Sequence, residues 1–320
     1  MSKPDVLAVA KLHPFYQKAL ETLYTVHDRT HVTDPAAFAA LAPRIVGVAG
    51  TGEASVPRSL LAQLPNAKVV AVFGVGYDGV DVPAAIEHGI PVTHTPDVLT
   101  DDVADLAMGL VLSVGRAIPQ ADQFVRAGQW PGGPMALGRK VSGARMGILG
   151  LGRIGKAIAQ RAQAFGMSIA YTARTSKVDS GYKFYPSAAE LAANVDFLVA
   201  ITPGGAGTKH LINAEVLKAL GPRSFLINVA RGSVVDEAAL ITALQNGTIA
   251  GAGLDVYTHE PNVPEALWRL RNVVLTPHMA SATTETRQAM ADLAFANMQA
   301  GISGQPLRTP VPEFKTLLGT

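Results

Sequence analysis

Three glycines stand in the run GLGRIG, residues 150 to 155, in the spacing G-x-G-x-x-G. The apolar run RMGILG precedes them and the helix-forming RIGKAIAQRAQAFG follows. In that context Gly150 permits a tight turn, and Gly152 lets the backbone approach a pyrophosphate. Gly155 lets the helix pack closely on the sheet. Leu151, Arg153 and Ile154 complete the turn, and the helix N-terminus faces the phosphates. The strand that should follow runs into AYTARTSK, residues 170 to 177. A dinucleotide site for NAD usually ends this strand in Asp or Glu, which accepts from the ribose hydroxyls. Here Ala173 removes the acid and Arg174 supplies a donor, with Thr175, Ser176 and Lys177 adding hydroxyls and positive charge. Those residue types suit an extra phosphate, so the expected cofactor is NADPH/NADP+. A solvated surface arginine is the alternative reading. Asp179 lies too far past the strand to serve as the ribose acid.

These residues need a scaffold. The chain has 320 residues, long for one core, so two domains are expected. Hydrophobic residues make up 48% and charged residues 16%, a foldable globular composition. The formal net charge is only +2 and no dense Lys/Arg stripe appears, which argues against nucleic acid as a partner. The absence of cysteine excludes disulfides and cysteine–zinc sites. The first residues lack a signal-like apolar segment, and LAMGLVLSVG is too short to span a bilayer, so no membrane partner and a cytoplasmic location are expected.

Short apolar runs at 5–10, 44–50, 68–74 and 90–95 read as strands alternating with helices. A second series begins with strand 145–150, helix 153–165 and strand 168–173. Further strands are expected at 195–201, 224–229, 249–254 and 272–275. Continuous apolar strands between helices predict parallel sheets covered on both faces. A long helix is expected from near Thr100, with Pro119 unfit for its interior. The segment 128–143 reads as irregular and exposed, and another helix is expected at about 283 to 300. The loop FGVGYDGVD, residues 73–81, follows a strand, and Gly74 and Gly76 permit unusual dihedrals there.

Three later runs, NVARGSVVDEAAL (228–240), AGAGLDVYTHEP (250–261) and TPHMASATTETR (276–287), together with the glycine turn, resemble signatures of the D-isomer-specific 2-hydroxyacid dehydrogenases. Within that family the chain looks most like the NADPH-dependent glyoxylate/hydroxypyruvate reductases. The resemblance implies a catalytic set of Arg231, Glu260 and His278. Imidazole titrates near neutrality, which suits His278 to proton donation. Glu260 would orient its ring, and Arg231 would hold the substrate carboxylate and polarise the keto oxygen. No metal is then needed. Val75 and Gly76 match positions whose N–H groups bind the carboxylate, with a tight strand–helix turn as the plainer reading. Asp255 matches a residue facing the nicotinamide carboxamide, or else is a turn or capping aspartate. The resemblance also puts Ala230 beside the cofactor, with Thr202 and Pro203 either bordering it or making a plain turn. Trp130 matches a residue that reaches a neighbouring subunit's site, with interface packing as the alternative.

The resemblance further implies two doubly wound parallel-sheet α/β domains, a Rossmann cofactor domain inserted into a flavodoxin-like substrate domain. The expected boundaries give 1–98 plus 288–320 for the substrate domain and 99–287 for the dinucleotide-binding domain. A homodimer is implied. The expected reaction reduces glyoxylate to glycolate and hydroxypyruvate to D-glycerate, so the partner is a small 2-keto or 2-hydroxy acid. Two alternatives stay open: a reductase of bulkier 2-keto acids such as 4-hydroxyphenylpyruvate, and a non-enzymatic dinucleotide-sensing corepressor.

Overall fold

The computed structural model describes residues 3–314. The chain divides into two compact units, Met1–Leu99 with Ala282–Thr320, and Thr100–Ser281.

The first unit holds five strands: β1 (Asp5–Ala8), β2 (Thr25–Asp28), β3 (Ile45–Thr51), β4 (Val70–Phe73) and β5 (Val92–Thr93). Every pairing is parallel and the order is β2-β1-β3-β4-β5. That is the 2-1-3-4-5 order of flavodoxin-like sheets. β1 and β4 are buried at every residue, as continuous apolar runs covered on both faces must be. β2 is the edge strand, and none of its residues is fully buried. Helix Thr284–Ile302 belongs to this unit and packs on helix Pro14–Leu23, β3 and β4. Its first turn is capped by Thr283, whose side chain accepts from the Thr286 N–H. The second boundary therefore falls at Ser281/Ala282, just before this helix.

The second unit holds seven parallel strands: β6 (Arg145–Leu149), β7 (Ser168–Thr172), β8 (Lys183–Phe184), β9 (Phe197–Ala200), β10 (Phe225–Asn228), β11 (Gly251–Leu254) and β12 (Val273–Leu275). Their order is β12-β11-β10-β9-β6-β7-β8. Counting from β6, six of them run 3-2-1-4-5-6, the Rossmann order, with β12 added at one edge. The strand order reverses between β6 and β9, and ligands of such sheets bind outside the carboxyl ends at that crevice. The core is built from β9 and β10 side chains such as Leu198 and Leu226, packed against Leu191, Leu217 and Leu240 of the covering helices. Each fully buried Leu contributes about 1.5–3 kcal/mol relative to exposure.

The long helix expected from Thr100 is two helices. The first, Thr100–Gly115, stops before Ala117, which has a left-handed φ of 51°. The second, Ile118–Arg126, carries Pro119 in its first turn, where a missing N–H costs nothing. Asp101 lies in the first turn of the first helix and pairs with Arg161 at 3.0 Å. No described helix is long and apolar enough to cross a membrane.

Candidate active site

The glycine turn leaves β6 and enters helix Arg153–Ala164. A Cβ on Gly155 would lie 2.2 Å from the Gly150 carbonyl oxygen, so only glycine lets the helix start this close to the turn. A Cβ on Gly152 would meet no protein atom within 4 Å. Gly152 thus borders open space at the N-cap, and no side chain caps the helix there. The N–H groups of the first turn have no intrahelical acceptors and present themselves to that space. A phosphate fits this cradle, and a side chain at Gly152 would fill it. Leu151 is buried beneath the turn. The Gly150 N–H donates to the Thr172 carbonyl at 3.0 Å, tying the turn to the end of β7.

Beyond β7, Ala173 is half-buried while Arg174, Thr175 and Ser176 are exposed. Arg174 makes no hydrogen bond or ion pair among the described residues. The expected acid is absent from this strand end, and a cation stands one residue beyond it. Thr202 and Pro203 follow β9, across the switch point, where a Cβ on Gly150 would lie 3.1 Å from the Thr202 Cα.

The remaining groups come from the ends of β10, β11 and β12. After β10, Asn228 donates from Nδ2 to the Arg231 carbonyl at 3.0 Å and accepts the Ala230 N–H on Oδ1 at 3.1 Å. This buried clamp shapes the turn that carries buried Ala230 and half-buried Arg231. Arg231 donates from Nη1 to the Ala230 carbonyl at 2.8 Å. A Cβ on Gly232 would fall 1.9 Å from the Tyr257 carbonyl carbon, so glycine here lets the Arg231 turn lie against the Tyr257–Glu260 turn.

After β11, Asp255 is fully buried. Its Oδ1 accepts from the Thr276 hydroxyl at 2.6 Å and the Met279 N–H at 2.8 Å, and its Oδ2 accepts the Ala280 N–H at 2.9 Å. The His278 N–H donates to the Asp255 carbonyl at 2.9 Å. The loop after β12 is therefore threaded around one aspartate, with His278 at its crest in a left-handed conformation, φ 50°. Burial pushes the Asp255 carboxyl above its ordinary range, although these hydrogen bonds and the His278 charge oppose the shift.

His278 and Glu260 meet. Nδ1 of His278 lies 2.6 Å from Oε2 of Glu260, and Oε1 accepts the Tyr257 N–H at 2.9 Å. Burial raises the Glu260 carboxyl. The hydrogen bonds from His278 and Tyr257, with the charges of His278 and Arg231, outweigh that and hold it below its usual range. An imidazole nitrogen facing a carboxylate carries a proton, which leaves Nε2 as the nitrogen available to a reactant. The carboxylate also favours the charged ring, the proton-donating form. Arg231, Glu260 and His278 thus converge within one unit.

Val75 and Gly76 lie in the other unit, in the loop after β4. That loop is pinned by the continuation of β5: Thr95 donates its N–H to the Gly74 carbonyl at 2.8 Å and accepts the Gly74 N–H on its hydroxyl at 3.1 Å. Buried His94 contacts the Val75 carbonyl through Nδ1 at 2.8 Å. In a trans peptide the carbonyl and the next N–H point oppositely, so fixing the Val75 carbonyl also fixes the direction of the Gly76 N–H. Trp130 opens a short 3-10 turn, Trp130–Gly132, and is 67% exposed.

Four supporting residues escaped the sequence reading: His94, Asn228, Tyr257 and Thr276. Asn228 left a signal, a lone polar residue closing an apolar strand. Tyr257 and Thr276 lie inside the recognised runs but act through buried backbone contacts that spacing does not reveal.

The sequence profile of the D-isomer specific 2-hydroxyacid dehydrogenase NAD binding domain matches residues 108–280. The chain belongs to that family. It is 47% identical over 314 residues to hydroxyphenylpyruvate reductase of Plectranthus scutellarioides, covering 97% of this chain and 100% of that protein. It is 49% identical over 267 residues to glyoxylate/hydroxypyruvate reductase A of Arabidopsis thaliana, covering 83% and 85%. Among solved structures, it is similar to the NADPH-dependent glyoxylate/hydroxypyruvate reductase of Sinorhizobium meliloti in complex with NADP and malonate. The TM-score is 0.90 at 47% identity, covering 98% of each chain. The expected two-sheet α/β architecture and the expected family both hold.

Proposed function

We propose that this enzyme reduces glyoxylate to glycolate and hydroxypyruvate to D-glycerate with NADPH. The observation that carries the reading is the His278–Glu260 pair beside Arg231, in the same unit as a phosphate cradle whose neighbouring strand end has a cation in place of an acid. The Sinorhizobium and Arabidopsis relatives, reductases of this substrate class, support it. A second reading, reduction of 4-hydroxyphenylpyruvate, is supported by the Plectranthus relative.

The unit Thr100–Ser281 is the dinucleotide-binding domain and the other is the substrate domain. The first-turn N–H groups after Gly150-Leu151-Gly152 hold the pyrophosphate, with Arg153, Ile154 and Gly155 entering the helix behind it. Arg174, Thr175 and Ser176 hold the 2′-phosphate. Thr202, Pro203, Ala230 and Asp255 border the nicotinamide end, and Asp255 also holds the His278 loop in place. When bound, NADPH supplies the hydride for the keto carbon. Arg231 grips the substrate carboxylate and polarises the keto oxygen. The N–H groups of Val75 and Gly76, in the substrate domain, are assigned to substrate binding. His278 gives the proton on Nε2 to the developing alkoxide, and Glu260 stabilises the imidazolium before that transfer. The enzyme acts in the cytoplasm as a homodimer. Exposed Ile118, Val125, Trp130 and Leu137 on the second unit support self-association.

The test is a kcat/KM panel with NADPH and NADH against glyoxylate, hydroxypyruvate and 4-hydroxyphenylpyruvate. The highest value is expected for NADPH with one of the two small acids. A maximum for 4-hydroxyphenylpyruvate would favour the second reading, and no turnover with any of them would overturn both.

A further inference from the structure

The loop that follows β7 is closed from beneath by a buried side chain. Tyr171 is 1% exposed, and its ring lies 5.4 Å from that of Phe184 on the neighbouring strand β8. Its hydroxyl emerges under the loop and accepts the Lys177 N–H at 2.5 Å. Residues 173–176 therefore form a short arch. One foot is the end of β7, which the Gly150 N–H also grips through the Thr172 carbonyl. The other foot is Lys177, held by the phenol.

Arg174 sits on this arch with no partner of its own among the described residues. A long exposed arginine on a free loop would lose much conformational entropy on gripping a phosphate. On a loop closed at both feet its backbone is already ordered, and less remains to be lost. The phenol itself is buried and faces the loop's backbone.

We propose that Tyr171 is a positioning residue for coenzyme selection: its hydroxyl closes the 173–176 arch and so pre-orders Arg174, Thr175 and Ser176 for the 2′-phosphate. This rests on the NADPH reading above. NADH has no 2′-phosphate, so its affinity does not depend on the arch. A merely structural tyrosine would affect both coenzymes alike.

The experiment compares the full-length protein with Tyr171→Phe, which deletes one oxygen and keeps the packed ring. NADPH and NADH dissociation constants are measured by titration without keto acid, adenosine 2′,5′-bisphosphate serves as a probe of the phosphate subsite, and amide exchange is followed at Lys177. The expected result is a several-fold weaker NADPH and bisphosphate affinity, unchanged NADH affinity and faster exchange at Lys177. If the unsubstituted protein prefers NADPH and Tyr171→Phe keeps that preference, the proposal is overturned while the NADPH reading stands. Equal weakening of both coenzymes with a fall in melting temperature also overturns it, in favour of a structural role. If the unsubstituted protein does not distinguish NADPH from NADH, the NADPH reading fails first and takes the proposal with it. Should Tyr171→Phe fail to fold, Phe184→Leu loosens the ring packed against Tyr171 from outside the phosphate set. A smaller loss of NADPH affinity alone supports the proposal, and an unchanged coenzyme ratio overturns it.

Discussion

Nδ1 of His278 lies 2.6 Å from Oε2 of Glu260, and the second oxygen of that carboxylate is held by the Tyr257 N–H. The carboxylate cannot turn without losing one bond or the other. In Glu260→Gln the amide oxygen must face the Tyr257 N–H, which turns the amide NH2 toward His278. The ring must then accept at Nδ1, and the imidazolium loses its support. For keto-acid reduction, which consumes a proton from the ring, activity should begin to fall at lower pH than in the parent enzyme. His278→Ala should lower kcat by about 10²–10⁴-fold and leave the NADPH dissociation constant little changed. Full kcat–pH profiles of the three proteins check both outcomes.

The same carboxylate links the site to acid stability. Its pKa in the folded protein lies below the unfolded value, so the native state binds fewer protons there. Its stabilising contribution is complete above the unfolded carboxylate range and is lost as pH falls through the folded pKa. Glu260→Gln should therefore show a shallower fall of melting temperature on acidification, measured by calorimetry from neutral pH into the acid range.

Arg174→Ala should weaken NADPH about tenfold or more, consistent with losing a charge-assisted hydrogen bond of about 1.5–3 kcal/mol. NADH should be affected little. Michaelis constants for both coenzymes at a saturating keto acid check this, and equal changes would reject Arg174 as the phosphate contact.

Two glycines in one turn should respond in opposite ways. Gly155→Ala puts a methyl 2.2 Å from the Gly150 carbonyl oxygen and should cost about 1–3 kcal/mol of stability. At Gly152 the new methyl meets no protein atom within 4 Å, so Gly152→Ala should melt like the parent protein. It should nevertheless bind NADPH more weakly, because the methyl occupies the phosphate cradle. Thermal denaturation with and without NADPH separates the two effects.

Much of this site was readable because its parts are local. The turn Gly150–Gly155 needs only a strand before it and a helix after it, and both lie where the apolar pattern puts them. The break at Ala117 was half visible, since Pro119 forbade a continuous helix without saying where the first would end. β2 went unread because TVHD is short, has one aliphatic residue and lies at an edge, where burial imposes no apolar run. Asp255 is expected from the sequence to be a site residue, but its grip on Thr276, Met279 and Ala280 depends on two strand ends lying side by side. Adjacency in a sheet is a tertiary fact; Asn228 with Arg231 and Tyr171 with Lys177 are close in sequence, but their contacts depend on the exact turn the chain makes.

The excursion from Thr100 to Ser281 has a consequence for how the chain is made. The second unit is continuous, so all seven of its strands have been synthesised before Ala282 is added. The first unit begins earlier but lacks a wall until helix Thr284–Ile302 arrives. Met298, fully buried, rests on Gly47, and Gly301 lies against Val69. Residues 1–99 must therefore wait with an apolar sheet face uncovered while the other unit is completed. The order in which the two units begin and the order in which they are completed are therefore reversed.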